Sequence, residues 1–223
     1  MSLVEYDPRV TRIKICGLST PADVQMAMEL QIDAIGLVFY PPSPRLLNMT
    51  QAFELSRLHQ GQLQNVALVV DADDHLIKSI KDNCLIDIWQ FHGDESAERC
   101  SQIAGDQLWI KAARIDENFQ LDKFCLQYRD ASAWILDALV DGYGGGGKTF
   151  NWDLIPSTWI KENAHRVVLS GGLNAHNVAE AISHFRPLGV DVSSGVEISK
   201  GKKDPELMRK FVMQVKQTNQ SSD

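Results

Sequence analysis

The chain has 223 residues and a net charge of -7 at pH 7, and 44% of its residues are hydrophobic. This length and composition are typical of a folded protein with one large α/β domain or two small ones. The acidic balance argues against a general nucleic-acid-binding protein, which needs clustered Lys and Arg, and the apolar runs fall short of the roughly 18 residues that span a membrane.

Cysteine placement indicates a reducing compartment. The four cysteines (Cys16, Cys84, Cys100 and Cys125) are far apart, and no two of them form a Cys-x-x-Cys pair. We therefore expect free thiols rather than disulfides or a zinc site. Because the polar first seven residues also lack a signal-peptide core, we expect a cytoplasmic protein.

Strand and helix patterns alternate from residue 12 onward. Apolar runs predict strands at 12–17, 34–39, 65–70, 86–91, 108–113, 133–137, 167–169 and, with its loop, 189–197. Helical spacing predicts helices at about 21–30, 50–59, 73–82, 96–103, 118–128, 153–163, 177–185 and 205–215. Thr20 is a candidate N-cap of the first helix, because Pro21 follows it at an early helical position.

Eight strands in strict alternation with eight helices predict an α/β fold. The strand starts run from about 12 to about 190, which gives a period of (190 − 12)/7, or about 25 residues, as one βα unit needs. Most strands are continuous apolar runs, which are typical of a parallel sheet buried on both faces. We predict a single-domain (β/α)8 TIM barrel, with an open doubly wound sheet as the alternative. Residues 1–11 are assigned to an N-terminal extension, 12–217 to the barrel and 218–223 to a polar C-terminal tail.

A glycine pair, Gly171 and Gly172, separates the seventh strand from its helix. Backbone N–H groups and the positive end of a helix dipole at such a turn bind phosphate without basic side chains. The alternative is that the glycines only make a tight turn. Barrels of this kind commonly bind phosphate after strands seven and eight, so Ser194 and Gly195 belong to the same candidate site.

Four reactive side chains follow predicted strands. Cys16 follows strand one, Arg45 lies in the loop after strand two, His92 follows strand four, and Asp137 ends strand six. Active sites of barrels lie at these strand ends. A lone cysteine there is often only a small buried hydrophobe, and a lone aspartate often caps a helix. Their joint placement on one rim favours a functional role.

The chain resembles the phosphoribosylanthranilate isomerase family in seven ordered motifs. They are KICG at 14–17, GLVF at 36–39 with SPR at 43–45, QFHG at 90–93, GGGGKTFNW at 144–152, LSGGL at 169–173 with NV at 177–178, DVSSGVE at 191–197, and KGKKD at 200–204. The resemblance implies conversion of N-(5-phosphoribosyl)anthranilate to 1-(2-carboxyphenylamino)-1-deoxyribulose 5-phosphate in tryptophan biosynthesis. This Amadori rearrangement needs no cofactor and no metal.

The resemblance also implies roles for individual residues. It makes Cys16 the general base and Asp137 the general acid, places the substrate carboxylate near Arg45, and leaves the role of His92 open between catalysis, substrate lining and structure. A thiol with a pKa of about 8.5 is a poor base at neutral pH, and a carboxyl with a pKa of about 3.9 is a poor acid. We therefore expect surroundings that move both pKa values toward neutrality.

Two positions depart from the family pattern. Gly146 stands where the family usually has threonine, and Asn151 where it has aspartate, so the loop gains backbone freedom and loses one charge. Neither change touches Cys16, Arg45 or Asp137, and we expect activity to survive.

Rival functions remain to be separated. The related histidine-pathway isomerase, or a barrel acting on both substrates, would carry an aspartate where Cys16 stands. A catalytically silent protein that binds phosphorylated ligands would have kept the glycine sites and lost the acid or the base. The sequence favours a small phosphorylated substrate and leaves monomer and homodimer open.

Overall fold

In residues 2–138 and 154–220, which this computed structural model describes, eight parallel strands close into a barrel in chain order. They are β1 (Arg12–Cys16), β2 (Ala34–Val38), β3 (Gln64–Val69), β4 (Ile88–Phe91), β5 (Leu108–Ile115), β6 (Ala133–Ala138), β7 (Val167–Ser170) and β8 (Gly189–Val192). The helices outside them are α1 (Pro21–Glu29), α2 (Met49–Leu58), α3 (Asp74–Asn83), α4 (Ala97–Ala104), α5 (Leu121–Gln127), α6 (Ser157–Asn163), α7 (Val178–Phe185) and α8 (Pro205–Gln220). Because β1 pairs with β8, the predicted TIM barrel is confirmed and the open sheet is excluded.

The strands are buried on both faces, as their apolar runs predict. All four residues of β4 are buried, and they alternate between the two sides. Trp89 and Phe91 pack in the cluster between strands and helices, whereas Ile88 packs in the cluster inside the barrel. Gln90 therefore faces the barrel lumen with Ile88. The same alternation on β1 turns Lys14 and Cys16 inward.

The N-terminal extension closes the amino end of the barrel. Leu3 is completely buried and packs in the lumen cluster. Its backbone N–H donates to Oε1 of Gln64 at 2.6 Å, and Nε of Arg12 donates to the carbonyl of Glu5 at 3.1 Å. The residues assigned to an N-terminal extension thus contribute Leu3 to the packed core.

Local capping chemistry fixes where the first helix begins. Thr20 is the N-cap of α1, Pro21 is the first helical residue, and Asp23 completes a capping box with Thr20. The predicted start is confirmed. Asn48 and Gln51 form a second capping box, which moves the start of α2 to Met49 from the predicted residue 50.

Two helices begin later than predicted, for local reasons. Helix α6 begins at Ser157, directly after Pro156 at its N-cap, and the predicted start at residue 153 lies outside the described residues. Helix α5 begins at Leu121 rather than at 118, because Asp116 accepts the N–H of Asn118 in a preceding turn.

The C-terminal helix is longer than predicted. Residues 218–220, assigned to a polar tail, continue α8 to Gln220. Asn219 accepts the N–H of Thr11 at 3.1 Å and donates to its carbonyl at 3.3 Å, which anchors this last turn to the chain before β1.

One structural element was not predicted, and some predicted features cannot be compared. After a 3-10 turn at Ser194–Val196, the strands β9 (Glu197–Ser199) and β10 (Lys202–Lys203) form a short antiparallel hairpin. The glycine-rich loop 141–148, with Gly146, and Asn151 beyond it lie outside the described residues, as do 221–223. No helix in the described ranges is long and apolar enough to cross a membrane.

Candidate active site

The predicted site residues meet at the carboxyl end of the barrel. Parallel strands all end on the same side, so the loops that follow them share one rim. Cys16 is the last residue of β1, and Asp137 is the last but one of β6. Arg45 follows β2, and His92 directly follows β4. The two candidate phosphate loops follow β7 and β8 on the same rim.

Cys16 is buried beside a glycine on the neighbouring strand. It is 5% exposed, and Gly36 of β2 lies opposite it in the register. A Cβ at Gly36 would lie 2.6 Å from the Cys16 sulfur, so glycine leaves the space that the thiol occupies. Burial raises the pKa of the Cys16 thiol, and the ammonium groups of Lys14 and Lys203 offset only part of this effect. The pKa of the thiol thus lies above its ordinary value, and the expectation that its surroundings move it toward neutrality is wrong.

A buried ion pair lies in the lumen beneath Cys16, formed by the residue two positions before it on β1 and a residue on β8. Nζ of Lys14 donates to Oδ1 of Asp191 at 2.9 Å, and the two side chains are 0% and 6% exposed. Burial lowers the pKa of Lys14, but the charges of Asp191 and Cys16 raise it by more than burial lowers it, so the pKa lies above its ordinary value. Lys14 therefore supplies a permanent positive charge beneath the thiol.

His92 and Asp137 face each other across the lumen mouth. Nε2 of His92 lies 3.5 Å from Oδ2 of Asp137, and the side chains are 16% and 27% exposed. Nδ1 of the same ring lies 3.2 Å from Nε2 of Gln90. His92 also lines a cavity of ≈ 570 Å³ bounded by the loops after β3 and β4 and by α5. Space of ligand size is thus present on this side of the rim.

Arg45 is held by a carboxylate of the chain itself. Its Nε and Nη2 donate to the two oxygens of Glu197 at 2.6 and 2.8 Å. The stem of Arg45 lies over Gly17, whose φ is +77° and whose missing Cβ leaves room for it. Glu197 also accepts from Lys203 at 2.8 Å. Burial raises the pKa of Glu197, but Arg45 and Lys203 lower it more, so the carboxylate stays ionised with a pKa below its ordinary value.

Lys203 extends this network to Cys16. It donates to the carbonyl of Ser193 at 3.0 Å and to its Oγ at 3.2 Å. Ser193 Oγ in turn donates to the carbonyl of Cys16 at 3.0 Å. The loop after β8 is therefore tied to the last residue of β1.

We expect Glu197→Gln to lower the free energy of unfolding by about 3 kcal/mol near neutral pH, because it leaves the buried Lys203 ammonium without its counter-charge. The pKa of Glu197 is lowered in the folded state, so its stabilisation is present above the unfolded pKa of about 4.3 and is lost as the pH falls through the folded pKa. The difference between the two proteins should then shrink in acid. Urea unfolding across a pH series measures it.

The matched control is Glu206→Gln on α8, where the carboxylate faces Arg209 at 3.6 Å and is 71% exposed. Such an exposed pair contributes about 0–1 kcal/mol. Equal losses in the two variants, or a loss at Glu197 that does not change with pH, would show that the network does not hold a buried charge.

The two candidate phosphate loops touch each other. Gly171 and Gly172 have φ values of +79° and +64°, a left-handed backbone that favours glycine. A Cβ at Gly195 would collide with the backbone carbonyl of Leu173, so glycine allows the loop that carries Ser194 to lie against the loop after β7. The amide of Asn177 donates to the carbonyl of Gly172 at 3.0 Å and fixes this turn at the start of α7.

Sequence reasoning missed Lys14, Asp191, Glu197 and Lys203 as members of the site. A signal was present for the first two, because a charged residue in the middle of a buried apolar strand has to be paired. Glu197 and Lys203 fall inside quoted motifs, but Arg45, which donates to Glu197, lies 152 residues from it. Within the described ranges, no group of three or more His, Cys, Asp or Glu is placed to hold a metal ion.

Comparison with known proteins decides the family. Residues 13–214 match the model of N-(5'-phosphoribosyl)anthranilate (PRA) isomerase. The match extends from β1 into α8 and contains the whole rim. This chain belongs to the PRA isomerase family. The resemblance found in the sequence motifs is confirmed.

This chain is similar to individual PRA isomerases over almost their full length. The chain is 44% identical over 216 residues to the N-(5'-phosphoribosyl)anthranilate isomerase of Ralstonia nicotianae, with 94% of each chain covered. It is 36% identical to the crystal structure of phosphoribosyl anthranilate isomerase from Thermotoga maritima, with a TM-score of 0.82 over 93% of this chain and 100% of that one. A PRA isomerase in complex with reduced 1-(o-carboxyphenylamino)-1-deoxyribulose 5-phosphate is 33% identical, with a TM-score of 0.80, and covers the same shares.

Proposed function

We propose that this chain converts N-(5-phosphoribosyl)anthranilate to 1-(2-carboxyphenylamino)-1-deoxyribulose 5-phosphate, with Asp137 as general acid and Cys16 as general base. Membership of the PRA isomerase family supports the reaction. The observation that carries the two roles is their placement, because Cys16 ends β1 and Asp137 lies near the end of β6 on opposite parts of one barrel mouth. A ribose held between them is open to proton transfer from two sides.

Asp137 acts first. It donates a proton to the ribose ring oxygen, the bond from C1 to that oxygen breaks, and the anilino nitrogen supplies the electron pair for an iminium at C1. The ring oxygen leaves as a hydroxyl group, and Asp137 becomes a carboxylate. His92 faces this carboxylate at 3.5 Å and stabilises it.

Cys16 acts second. It removes the proton from C2, the C2–H electron pair forms a C1–C2 double bond, and the iminium electrons return to nitrogen. The resulting enol becomes the ketone when C1 gains a proton and the C2 hydroxyl loses one. C2 is oxidised and C1 is reduced within the same molecule, so the electrons balance without an external redox partner.

The order of the two steps explains why the resting thiol can have a raised pKa. A positive charge near a thiol favours its thiolate, and the iminium places such a charge beside Cys16 only after ring opening. Lys14 also favours the thiolate from below, although its partner Asp191 opposes part of this effect. The iminium thus favours loss of the thiol proton to solvent at the barrel mouth, and the resulting Cys16 thiolate then takes the proton from C2.

Arg45 is assigned to the anthranilate carboxylate. Glu197 engages its Nε and Nη2, so the bond to substrate is assigned to Nη1. A guanidinium fixed by one carboxylate is pre-organised to receive another. We expect Arg45→Lys to raise KM about tenfold with little change in kcat, because lysine carries the charge without the planar fork. Steady-state kinetics against Arg57→Lys, a change on α2 away from the rim, measures it. An unchanged KM would remove Arg45 from the binding site.

The substrate phosphate is assigned to the touching loops with Gly171 and Gly172 on one side and Ser194 and Gly195 on the other. The left-handed backbone of Gly171 and Gly172 and the start of α7 support this assignment, since backbone N–H groups there meet an anion without side-chain charge. Binding energy at this end holds the ribose between the acid and the base.

A fluorescence assay tests the function. Enzyme added to freshly made N-(5-phosphoribosyl)anthranilate should abolish the anthranilate-derived emission, and Cys16→Ala should not. Turnover of the aminoimidazole substrate of histidine synthesis in place of this one would favour the rival isomerase. Binding of the reduced product analogue without turnover of either substrate would favour the silent binding protein.

Location and assembly complete the proposal. We place the enzyme in the cytoplasm, where its four free cysteines stay reduced. A Thermotoga maritima relative is described as dimeric, and for this chain monomer and homodimer both remain predictions. Size-exclusion chromatography with light scattering separates them.

A further inference from the structure

One buried amide side chain in the lumen, Gln90, has a hydrogen-bond partner for its nitrogen but none for its oxygen. Gln90 is 1% exposed and faces the same side of β4 as Ile88. Among the buried side-chain nitrogens and oxygens of the described residues, its Oε1 is the atom without a hydrogen-bond partner. An unpaired buried acceptor costs stability, which an aliphatic residue of similar size would avoid. The contact made by the amide nitrogen should therefore explain why this position holds glutamine and not an aliphatic residue.

The amide nitrogen contacts His92. Nε2 of Gln90 lies 3.2 Å from Nδ1 of the imidazole. If the amide were rotated by half a turn, its oxygen would face the ring and its NH2 group, with two donors, would be left unpaired. Unpaired buried donors are rarer than unpaired buried acceptors and cost more stability. The amide nitrogen therefore faces the ring and donates to Nδ1. In a neutral imidazole that accepts at Nδ1, the proton is carried on Nε2.

Nε2 is the ring atom that faces the proposed acid. It lies 3.5 Å from Oδ2 of Asp137, a separation that can shorten when substrate closes the site. When Asp137 gives up its proton, an N–H on this side donates to the new carboxylate. The other tautomer would present a lone pair to the same negative charge and oppose the transfer.

We propose that Gln90 is a positioning residue for the acid step: it fixes His92 in the tautomer whose Nε2–H faces Asp137. The inference rests on the proposed role of Asp137 as general acid. Gln90 acts through His92 and touches neither the substrate nor the reacting atoms.

The chain contains an internal reference for this tautomer. His59 is buried, its Nδ1 accepts the N–H of Leu63 at 3.3 Å, and its Nε2 lies 3.0 Å from Oδ1 of Asn65. A backbone donor fixes Nδ1 as the acceptor there, so His59 also carries its proton on Nε2. His59 is outside the active site and should not respond to changes at residue 90.

Nitrogen-15 NMR of histidine-labelled protein at about pH 8, above the ordinary histidine pKa of about 6.5, reads the tautomer of each neutral ring directly. We expect His59 and His92 to show the same Nε2–H pattern in the unchanged protein. In Gln90→Leu, His92 should become a mixture of tautomers while His59 stays the same, and kcat should fall about tenfold with KM unchanged. In Gln90→Glu, the new carboxylate accepts from the ring, so the proton of His92 should appear on Nδ1.

Either of two results would overturn the proposal. One is a His92 ring that carries its proton on Nδ1 in the unchanged protein, a measurement that needs no folded variant. The other is a folded Gln90→Leu protein whose His92 signals and kcat are both unaltered. Failure of the proposed function is a separate outcome. It would appear as no turnover of the substrate, or as full turnover in Asp137→Asn, and neither result would change the tautomers that NMR reports for His92 and His59.

Discussion

Replacing Cys16 with alanine should lower kcat by a factor of about 10²–10⁴, which is a rise of about 3–5 kcal/mol in the barrier. The substitution removes the proposed base for the C2 proton and leaves Arg45 and the proposed phosphate loops in place. Affinity for the reduced product analogue should therefore change by less than about twofold, since that ligand undergoes no proton transfer. Steady-state fluorescence kinetics and calorimetric titration measure the two quantities.

An isotope effect identifies the step that is lost. With substrate deuterated at C2, the Cys16→Ala enzyme should show a full primary effect on kcat, because removal of that proton becomes rate-limiting. Cys84→Ala is the matched control, a buried cysteine that follows α3 away from the rim and contacts the sulfur of Met49. If Cys16→Ala turned over at the rate of Cys84→Ala, the thiol would not be the base.

Replacing Asp137 with asparagine should also lower kcat by a factor of about 10²–10⁴, because an amide of nearly the same shape cannot give a proton to the ring oxygen. Ring opening then limits the rate, and the C2 isotope effect should approach unity. The two variants thus have losses of similar size and opposite isotope effects. Binding of the reduced product analogue should again be retained.

Asp82→Asn on the outer face of α3 makes the same chemical change at an exposed ion pair with Lys78. It should leave kcat and the isotope effect unaltered. If Asp137→Asn retained turnover comparable to this control, another group would have to protonate the ring. A full isotope effect in Asp137→Asn would mean that ring opening does not depend on this carboxyl.

The sequence predicts the barrel well because each βα unit carries its own signals. The apolar run at 34–39 and the cap before Pro21 depend on neighbours within a few residues, and both elements form where these signals place them. The rim position of Cys16 and Asp137 follows from strand direction alone. Fold and site location were therefore predictable from local patterns.

Pairings between distant residues were not predictable. Lys14 and Asp191 are 177 residues apart, and the sequence shows two charges in two strands without showing that closure of the barrel joins them. The β9–β10 hairpin is short and charged, and it is stabilised by contacts of Lys203 with Ser193 and Glu197 rather than by an apolar pattern. Gln90 is a different case, because its partner His92 is two residues away, but the unpaired state of its Oε1 is visible only in the folded barrel.

The hydrogen bond from Ser193 to the carbonyl of Cys16 links the proposed phosphate loop to the proposed base. Ser193 precedes Ser194 in the proposed phosphate site, and Nζ of Lys203 donates to the carbonyl and the Oγ of Ser193. On the proposed roles, phosphate bound beside Ser194 would restrain the backbone of Cys16 through the hydroxyl group of Ser193. A ribosyl compound without its phosphate would on this account be processed more slowly in each encounter, and not merely captured less often.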